Sequence, residues 1–357
     1  MNHLEKITAR LEQYNLEAMV ITSAPGEFYA VGFHGEGIVL VTKSGSYYAT
    51  DSRYIEAAGE QVSGCFVTAV VGQQTHLDLV SNKLKSLGVT KVGFEEQSVS
   101  VAQYHKMKDR FPAAVEMVPA SELLLKLRAA KDEEEIAVMR KAQEITDRAF
   151  EQILSYIKPG VTESEIAARL TYLMQSMGAE RNSFDPIVAS GPNGSRPHAV
   201  PGLRPIGKGE FVTMDFGCVY GGYCSDMTRT VAVGEPTAEM CRVYDTVLEA
   251  QMTGIALAQA GVIGAEVHTA ALRVLDRAGY GGKMGHGFGH SLGIEIHEDP
   301  GFRPGCKEHL PVGAVVSAEP GIYLPGRFGV RIEDVVVLRK DGCEVLTRSP
   351  KMELIVL

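Results

Sequence analysis

The sequence predicts a mixed α/β (α+β) protein in two parts: a small N-terminal α/β domain over residues 1–125 and a larger domain over 126–357. Three observations carry this. Short apolar, strand-like runs alternate with helical stretches through the first part. A chain of 357 residues is long enough for two domains. The second part opens on a long charged helical segment and holds a faint internal repeat, which predicts two similar α-then-β halves packed face to face.

Residues 2–15 have helical periodicity, with Leu4, Ile7, Leu11 and Tyr14 on one face. Strand-like runs follow at AMVIT (18–22), GIVLVT (37–42), FVTAVV (66–71) and KVGFE (91–95), and THLDLVSNKLKSL (75–87) reads as a helix. The second part begins with LRAAKDEEEIAVMRKAQEI (127–145). Asp132 to Glu135 fall in the first turn of a long predicted helix, where acids favour the positive end of the dipole. Ile145, Ala149, Ile153 and Ile157 recur every four residues, and the helix is expected to stop at Lys158-Pro159-Gly160. Thr162 with Glu165 forms a capping box for the next helix. The repeat aligns GVTESEIAA (160–168) with GVIGAEVHT (261–269), and the junction of two such halves is a natural place for a site.

Composition narrows the function classes. The apolar fraction is 45%, the charged fraction 22% and the formal net charge −9, with both parts acidic, so neither offers a phosphate-binding basic surface and no nucleic-acid partner is expected. The first twenty residues lack the apolar core of a signal peptide, and no run of 18 apolar residues occurs, so no membrane association is expected. The 6 cysteines form no CxxC pair and read as reduced thiols of a cytoplasmic protein.

The segment FVTMDFGCVYGGYCSDMTRTVAV (211–233) reads as a hairpin turning at Gly221-Gly222. With an even turn there, Asp215 faces Thr228 and Asp226 faces Gly217, so both aspartates share one sheet face as diagonal neighbours. Two acids on a buried face repel and resist ionisation, and a cation between them removes both problems. Solvent-facing aspartates are the competing reading.

KMGHGFGHSLGIEIHEDP (283–300) places His286, His290 and His297 in glycine-rich sequence that does not favour a continuous helix. Imidazole serves both as a ligand and as an acid or base. Glu319 ends one strand-like run, VVSAEPGIY (315–323), and Glu333 lies within another, FGVRIEDVVVL (328–338). A glutamate in a buried strand needs a partner or a proton. Strand parity puts Arg331 on the face of Glu333, so an Arg–Glu pair on a solvated edge competes with a site role. Together, Asp215, Asp226, His290, Glu319 and Glu333 supply four carboxylates and one imidazole, enough charge for two divalent cations in oxygen-rich ligation.

The segments MDFGCVYGGYCSDMTRT, HGFGHSLGIEIHEDP, SAEPGIY and VRIED resemble those of the Xaa-Pro peptidases, prolidase and aminopeptidase P, metallopeptidases of the pita-bread fold related to methionine aminopeptidase. The resemblance covers about 128–357; TDSRY (50–54) resembles a scrap of the family's N-terminal creatinase/prolidase domain. It implies two divalent metal ions, Mn²⁺ first with Co²⁺ or Zn²⁺ as alternatives. Asp215 would bind one ion through both oxygens, Asp226 and Glu333 would bridge the pair, and His290 and Glu319 would complete the two shells. His198 and His297 match substrate-facing histidines and His286 a further active-site position; Arg331 would anchor the last glutamate or a substrate carboxylate.

The implied reaction is attack of a metal-bridging hydroxide on the carbonyl preceding proline, in a dipeptide or at a peptide N-terminus. Glu319 would carry the proton to the leaving nitrogen. The partners implied are a proline-containing peptide and a second copy of the chain, as a homodimer. Three alternatives stand beside this: a metal-independent creatinase-like hydrolase, a non-catalytic binding protein on the same fold, and specificity for another amino terminus.

Overall fold

The structure, a computed structural model, describes residues 2–357. The chain divides into two compact units between Arg128 and Ala129.

The N-terminal unit runs α1 (His3–Arg10), β1 (Ala18–Ile21), α2 (Ala24–Val31), β2 (Ile38–Thr42), β3 (Gly45–Thr50), α3 (Ile55–Gln61), β4 (Phe66–Ala69), α4 (His76–Leu87), β5 (Lys91–Phe94), α5 (Val101–Arg110), β6 (Glu116–Pro119) and α6 (Ser121–Ala129), whose last residue lies past the division. Its strands form one mixed sheet in the order β4-β3-β2-β1-β5-β6. Capping boxes start α1 (Asn2, Glu5), α4 (Thr75, Asp78) and α5 (Ser100, Gln103). Each satisfies two backbone donors that a helix start leaves open.

Two of these strands were not among the sequence expectations. β3, GSYYAT, is half polar, and β6, EMVP, lies at a sheet edge with no fully buried residue, so neither reads as an apolar run. The first helix also ends at Arg10 rather than near residue 15: Tyr14 sits in a separate 3₁₀ turn closed by Asn15 at φ 53°.

The C-terminal unit begins with α7 (Glu133–Ile153), α8 (Glu163–Ser176), β7 (Arg181–Asn182), β8 (Ile187–Ser190), β9 (Glu210–Phe216), β10 (Cys218–Tyr220), β11 (Tyr223–Cys224) and β12 (Met227–Val233). It continues with α9 (Ala238–Leu257), α10 (Gly264–Arg277), β13 (Val315–Ala318), β14 (Gly321–Leu324), β15 (Phe328–Arg331), β16 (Asp334–Arg339) and β17 (Gly342–Val345). Asp132 is the N-cap of α7, just outside the first turn, and accepts from the Glu134 and Glu135 amides. α7 ends five residues before the expected Lys158. There the Tyr156 and Ile157 amides both bond to the Ile153 carbonyl, tightening the chain ahead of Pro159.

The two halves repeat one another in hydrogen bonds as well as in order. Gly160 N donates to Ile206 O and Gly261 N to Leu310 O, while Ile206 N donates to Val161 O and Leu310 N to Val262 O. Each half builds its own core. One gathers Phe150, Ile166, Leu170, Val212 and Val231; the other gathers Val243, Val267, Phe288, Val316 and Val336.

The first hairpin keeps the expected register, with Asp215 opposite Thr228 and Tyr220 opposite Tyr223. The two-residue turn puts Gly221 and Gly222 at φ +54° and +75°, the left-handed pair that suits the twist of the flanking strands. The expected long strands are interrupted: at Gly217, at Ser225–Asp226, at Glu319–Pro320 and at Ile332–Glu333. Among the described residues no helix is long and apolar enough to cross a membrane, and all six cysteines are free thiols.

Candidate metal centre

Those four interruptions hold or adjoin the acidic residues singled out in the sequence. Asp215 is the last residue but one of β9; Asp226 precedes β12, Glu319 follows β13 and Glu333 precedes β16. Equivalent strands of the two halves therefore aim carboxylates at one place. Asp215, Asp226, His286, His290, His297, His198, Glu319 and Arg331 line a single cavity of about 320 Å³, and Glu333 lies beneath it, 1% exposed.

His290 comes from the glycine-rich segment. Gly289 lies so close to β13 that an added Cβ would stand 1.8 Å from the Ser317 carbonyl oxygen, and the amide of His290 bonds to Ser317 Oγ at 3.0 Å. The His290 Nδ1 lies 3.1 Å from the Ser291 carbonyl. A carbonyl only accepts, so Nδ1 carries the proton and Nε2 presents a lone pair. That lone pair faces Asp226 Oδ2 at 3.5 Å and Glu319 Oε1 at 3.4 Å. Burial holds the imidazole below its usual pKa, which keeps it neutral.

A lone pair facing two carboxylates is repulsive unless something positive sits between them. Ligand atoms of Asp226, His290 and Glu333 all lie within 4.8 Å of one another. Asp215 Oδ1, Asp226 Oδ1 and Glu333 Oε1 are buried and take no hydrogen bond among the described residues. Burial first, then the neighbouring carboxylates, push the Asp226 and Glu333 carboxyls well above their usual range; burial also raises Glu319. Buried polar atoms are ordinarily satisfied. The donor set, four carboxylates and an imidazole with unshared oxygens turned inward, fits divalent cations.

Arg331 departs from expectation. Its guanidinium bonds Asp215 Oδ2 rather than Glu333, donates from Nε to Thr228 Oγ1 at 3.0 Å, and reaches Tyr323 Oη at 2.9 Å and the Pro197 carbonyl at 3.2 Å. Strand parity fails because the chain turns at Ile332–Glu333 between β15 and β16, and the Arg331 side chain is 4% exposed rather than on a solvated edge. Glu333 is reached only through Thr228, whose hydroxyl donates to Glu333 Oε2 at 2.7 Å.

The other histidines differ in role. His286 uses both ring nitrogens, Nδ1 to the Gly287 carbonyl at 2.7 Å and Nε2 to Tyr323 Oη at 3.0 Å. The Gly287 carbonyl only accepts, so Nδ1 carries the proton, Nε2 is an acceptor, and the Tyr323 hydroxyl, itself accepting from Arg331, donates to it. His297 packs edge-on against His290 with ring centroids 4.4 Å apart, and burial lowers the pKa of both His286 and His297. His198 is exposed at the rim. Sequence reasoning did not single out Tyr323, Thr228 as a bridge, or Arg303 on the cavity wall. The only signal for Tyr323 was its place in SAEPGIY, four residues after Glu319.

Residues 137–340 match metallopeptidase family M24, and residues 3–130 match the creatinase/prolidase N-terminal domain. An uncharacterized peptidase of Bacillus subtilis, YqhT, is 41% identical over 99% of both chains. Among solved structures, an Xaa-Pro dipeptidase from Bacillus anthracis superimposes with a TM-score of 0.95 at 40% identity, covering 99% of each chain. An X-Pro aminopeptidase from Thermotoga maritima gives 0.92 at 35% identity, over 98% of this chain and 100% of the other. With its inward-facing carboxylates and its two-part architecture, the chain belongs to metallopeptidase family M24.

Proposed function

We propose that the protein hydrolyses the Xaa-Pro bond of dipeptides with two divalent metal ions, Mn²⁺ first, held by Asp215, Asp226, His290, Glu319 and Glu333. We assign this chemistry to a catalytic domain over 126–357, with 1–125 as its N-terminal domain. The observation that carries the reading is the His290 Nε2 lone pair facing two carboxylates at 3.4 and 3.5 Å, an arrangement that calls for a cation. When bound, two such ions supply Lewis acidity and lower the pKa of water toward neutrality.

The chain's own groups do the rest. Glu319 would take a proton from the attacking water and return it to the proline nitrogen as the C–N bond breaks. His297, edge-on to His290 and lining the cavity, is placed to support negative charge developing on a substrate carbonyl. The Arg331–Tyr323–His286 chain fixes the cavity wall and holds Asp215 in place. A proline amide has no N–H, so recognition rests on ring shape and end charges. Arg303 lies on the cavity wall with its guanidinium paired to Asp299, and it would have to leave that pair to meet the carboxylate that ends an Xaa-Pro dipeptide. The Xaa-Pro dipeptidase likeness supports the same choice.

Rates on Xaa-Pro and Xaa-Pro-Yaa peptides, measured on metal-titrated protein, test the reading. Faster cleavage of the dipeptide is expected. Preference for the tripeptide makes the protein an aminopeptidase, and cleavage of neither removes the reading. The free thiols fit a cytoplasmic setting. We also propose a homodimer, and a monomeric mass at micromolar concentration contradicts it.

A further inference from the structure

Glu163 is fully buried, 0% exposed, yet it takes no part in the metal centre. It is the first residue of α8, beside the capping-box pair Thr162 and Glu165. Its Oε1 accepts from Ser190 N at 2.7 Å and Ser190 Oγ at 2.8 Å, and its Oε2 from Gly202 N at 3.2 Å; Asn193 Nδ2 reaches both oxygens at 3.1–3.2 Å. One carboxylate thus ties both ends of the loop between Ser190 and Gly202.

That loop carries His198. On its far side it is held by Arg331, which donates to the Pro197 carbonyl at 3.2 Å, and by Gly329, where an added Cβ would stand 1.9 Å from the Gly194 oxygen. The His198 ring makes no hydrogen bond among the described residues and is exposed, so its position is inherited from the loop. The other half of the unit supplies a comparison. Gly264 occupies the place of Glu163 in the internal repeat, and an added Cβ there would lie 2.2 Å from the Gly301 oxygen. Both halves dock the loop through backbone contacts, Ser164 N donating to Gly202 O at 3.0 Å in the first and Ala265 N to Cys306 O at 3.1 Å in the second, and the first adds a buried carboxylate.

We propose that Glu163 is a positioning residue for His198, its carboxylate clamping the 190–202 loop so that the imidazole faces the cavity. The inference rests on the reading of that cavity as the peptidase site. A charged carboxylate accepting several hydrogen bonds in a buried place is strong and directional, and small displacements of groups facing a substrate cost large factors in rate.

The test uses the manganese-loaded full chain and an Xaa-Pro dipeptide. Glu163→Gln keeps the shape but turns an amide toward the loop's donors. It should lower kcat about tenfold or more with metal content unchanged. In a His198→Ala background the same substitution should cost less than about twofold. An equal loss in both backgrounds marks a purely structural role and overturns the proposal, as does wild-type activity in Glu163→Gln. Should that variant not fold, Asn193→Ala leaves the carboxylate in place and should show the same dependence on His198. Amide exchange in residues 191–204 of Glu163→Gln should speed up about tenfold while α8 and β9 stay protected. Unchanged exchange overturns the clamp. If the wild type cleaves no Xaa-Pro dipeptide, the functional reading fails, and the exchange experiment still decides whether Glu163 holds the loop.

Discussion

Thr228→Val is the most informative single perturbation of the centre. The hydroxyl of Thr228, 0% exposed, receives a hydrogen bond from Arg331 Nε at 3.0 Å and donates one to Glu333 Oε2 at 2.7 Å. Valine keeps the size and the β-branch, so backbone and packing change little. The hydrogen bond from the Arg331 guanidinium involves a charged group and is worth about 1.5–3 kcal/mol, and the one to the raised Glu333 carboxyl about 0.5–1.5 kcal/mol. The Arg331 Nε hydrogen is left buried without its acceptor. A loss of about 3 kcal/mol in stability follows, after some relaxation around the gap. Glu333 also loses the group that orients it, and removal of such outer partners typically weakens metal binding about 10–100-fold.

The assay is paired: denaturant unfolding of the apoprotein, and manganese affinity by competition with a chelator. Thr269→Val serves as the control, since its exposed hydroxyl bonds only the Ala265 carbonyl of its own helix; it should change stability by less than about 0.5 kcal/mol. If Thr228→Val unfolds at the wild-type denaturant concentration and binds manganese as tightly, the hydroxyl bridge is not what holds Glu333, and the reasoning fails.

Three further outcomes follow from the same geometry. Asp226→Asn should lower metal content and rate together, because the residue faces His290 and has a buried oxygen with no other partner; a retained rate removes Asp226 from the site. His297→Ala should lower turnover with both ions still bound, as measured by elemental analysis, since its ring packs on His290 without taking its place; metal loss instead makes His297 structural. Gly289→Ala should reduce metal content as well, because the new methyl would stand 1.8 Å from the Ser317 carbonyl and push the His290 backbone away from β13. A fully loaded Gly289→Ala protein contradicts that close approach.

The sequence made the first hairpin legible because its turn is local. Two adjacent glycines define an even turn, and parity then places Asp215 opposite Thr228. The capping boxes are equally local, which is why Thr162 with Glu165 could be read directly. Parity misled where the chain turns a corner. Arg331 and Glu333 lie on either side of the break between β15 and β16, so the arginine meets Asp215, 116 residues away, instead of its neighbour. Glu163 was invisible for a similar reason: its partners lie 27 to 39 residues on, in a loop with no periodicity to read. β6 escaped notice because an edge strand with little burial carries no apolar run.

The claim that divalent ions bind among these acids is met most directly by exhaustive chelation followed by metal return. Elemental analysis should find no ion in the chelated protein and two per chain after manganese is restored, with Xaa-Pro cleavage vanishing and recovering in step. Undiminished cleavage by chelated protein verified to be free of metal contradicts the account.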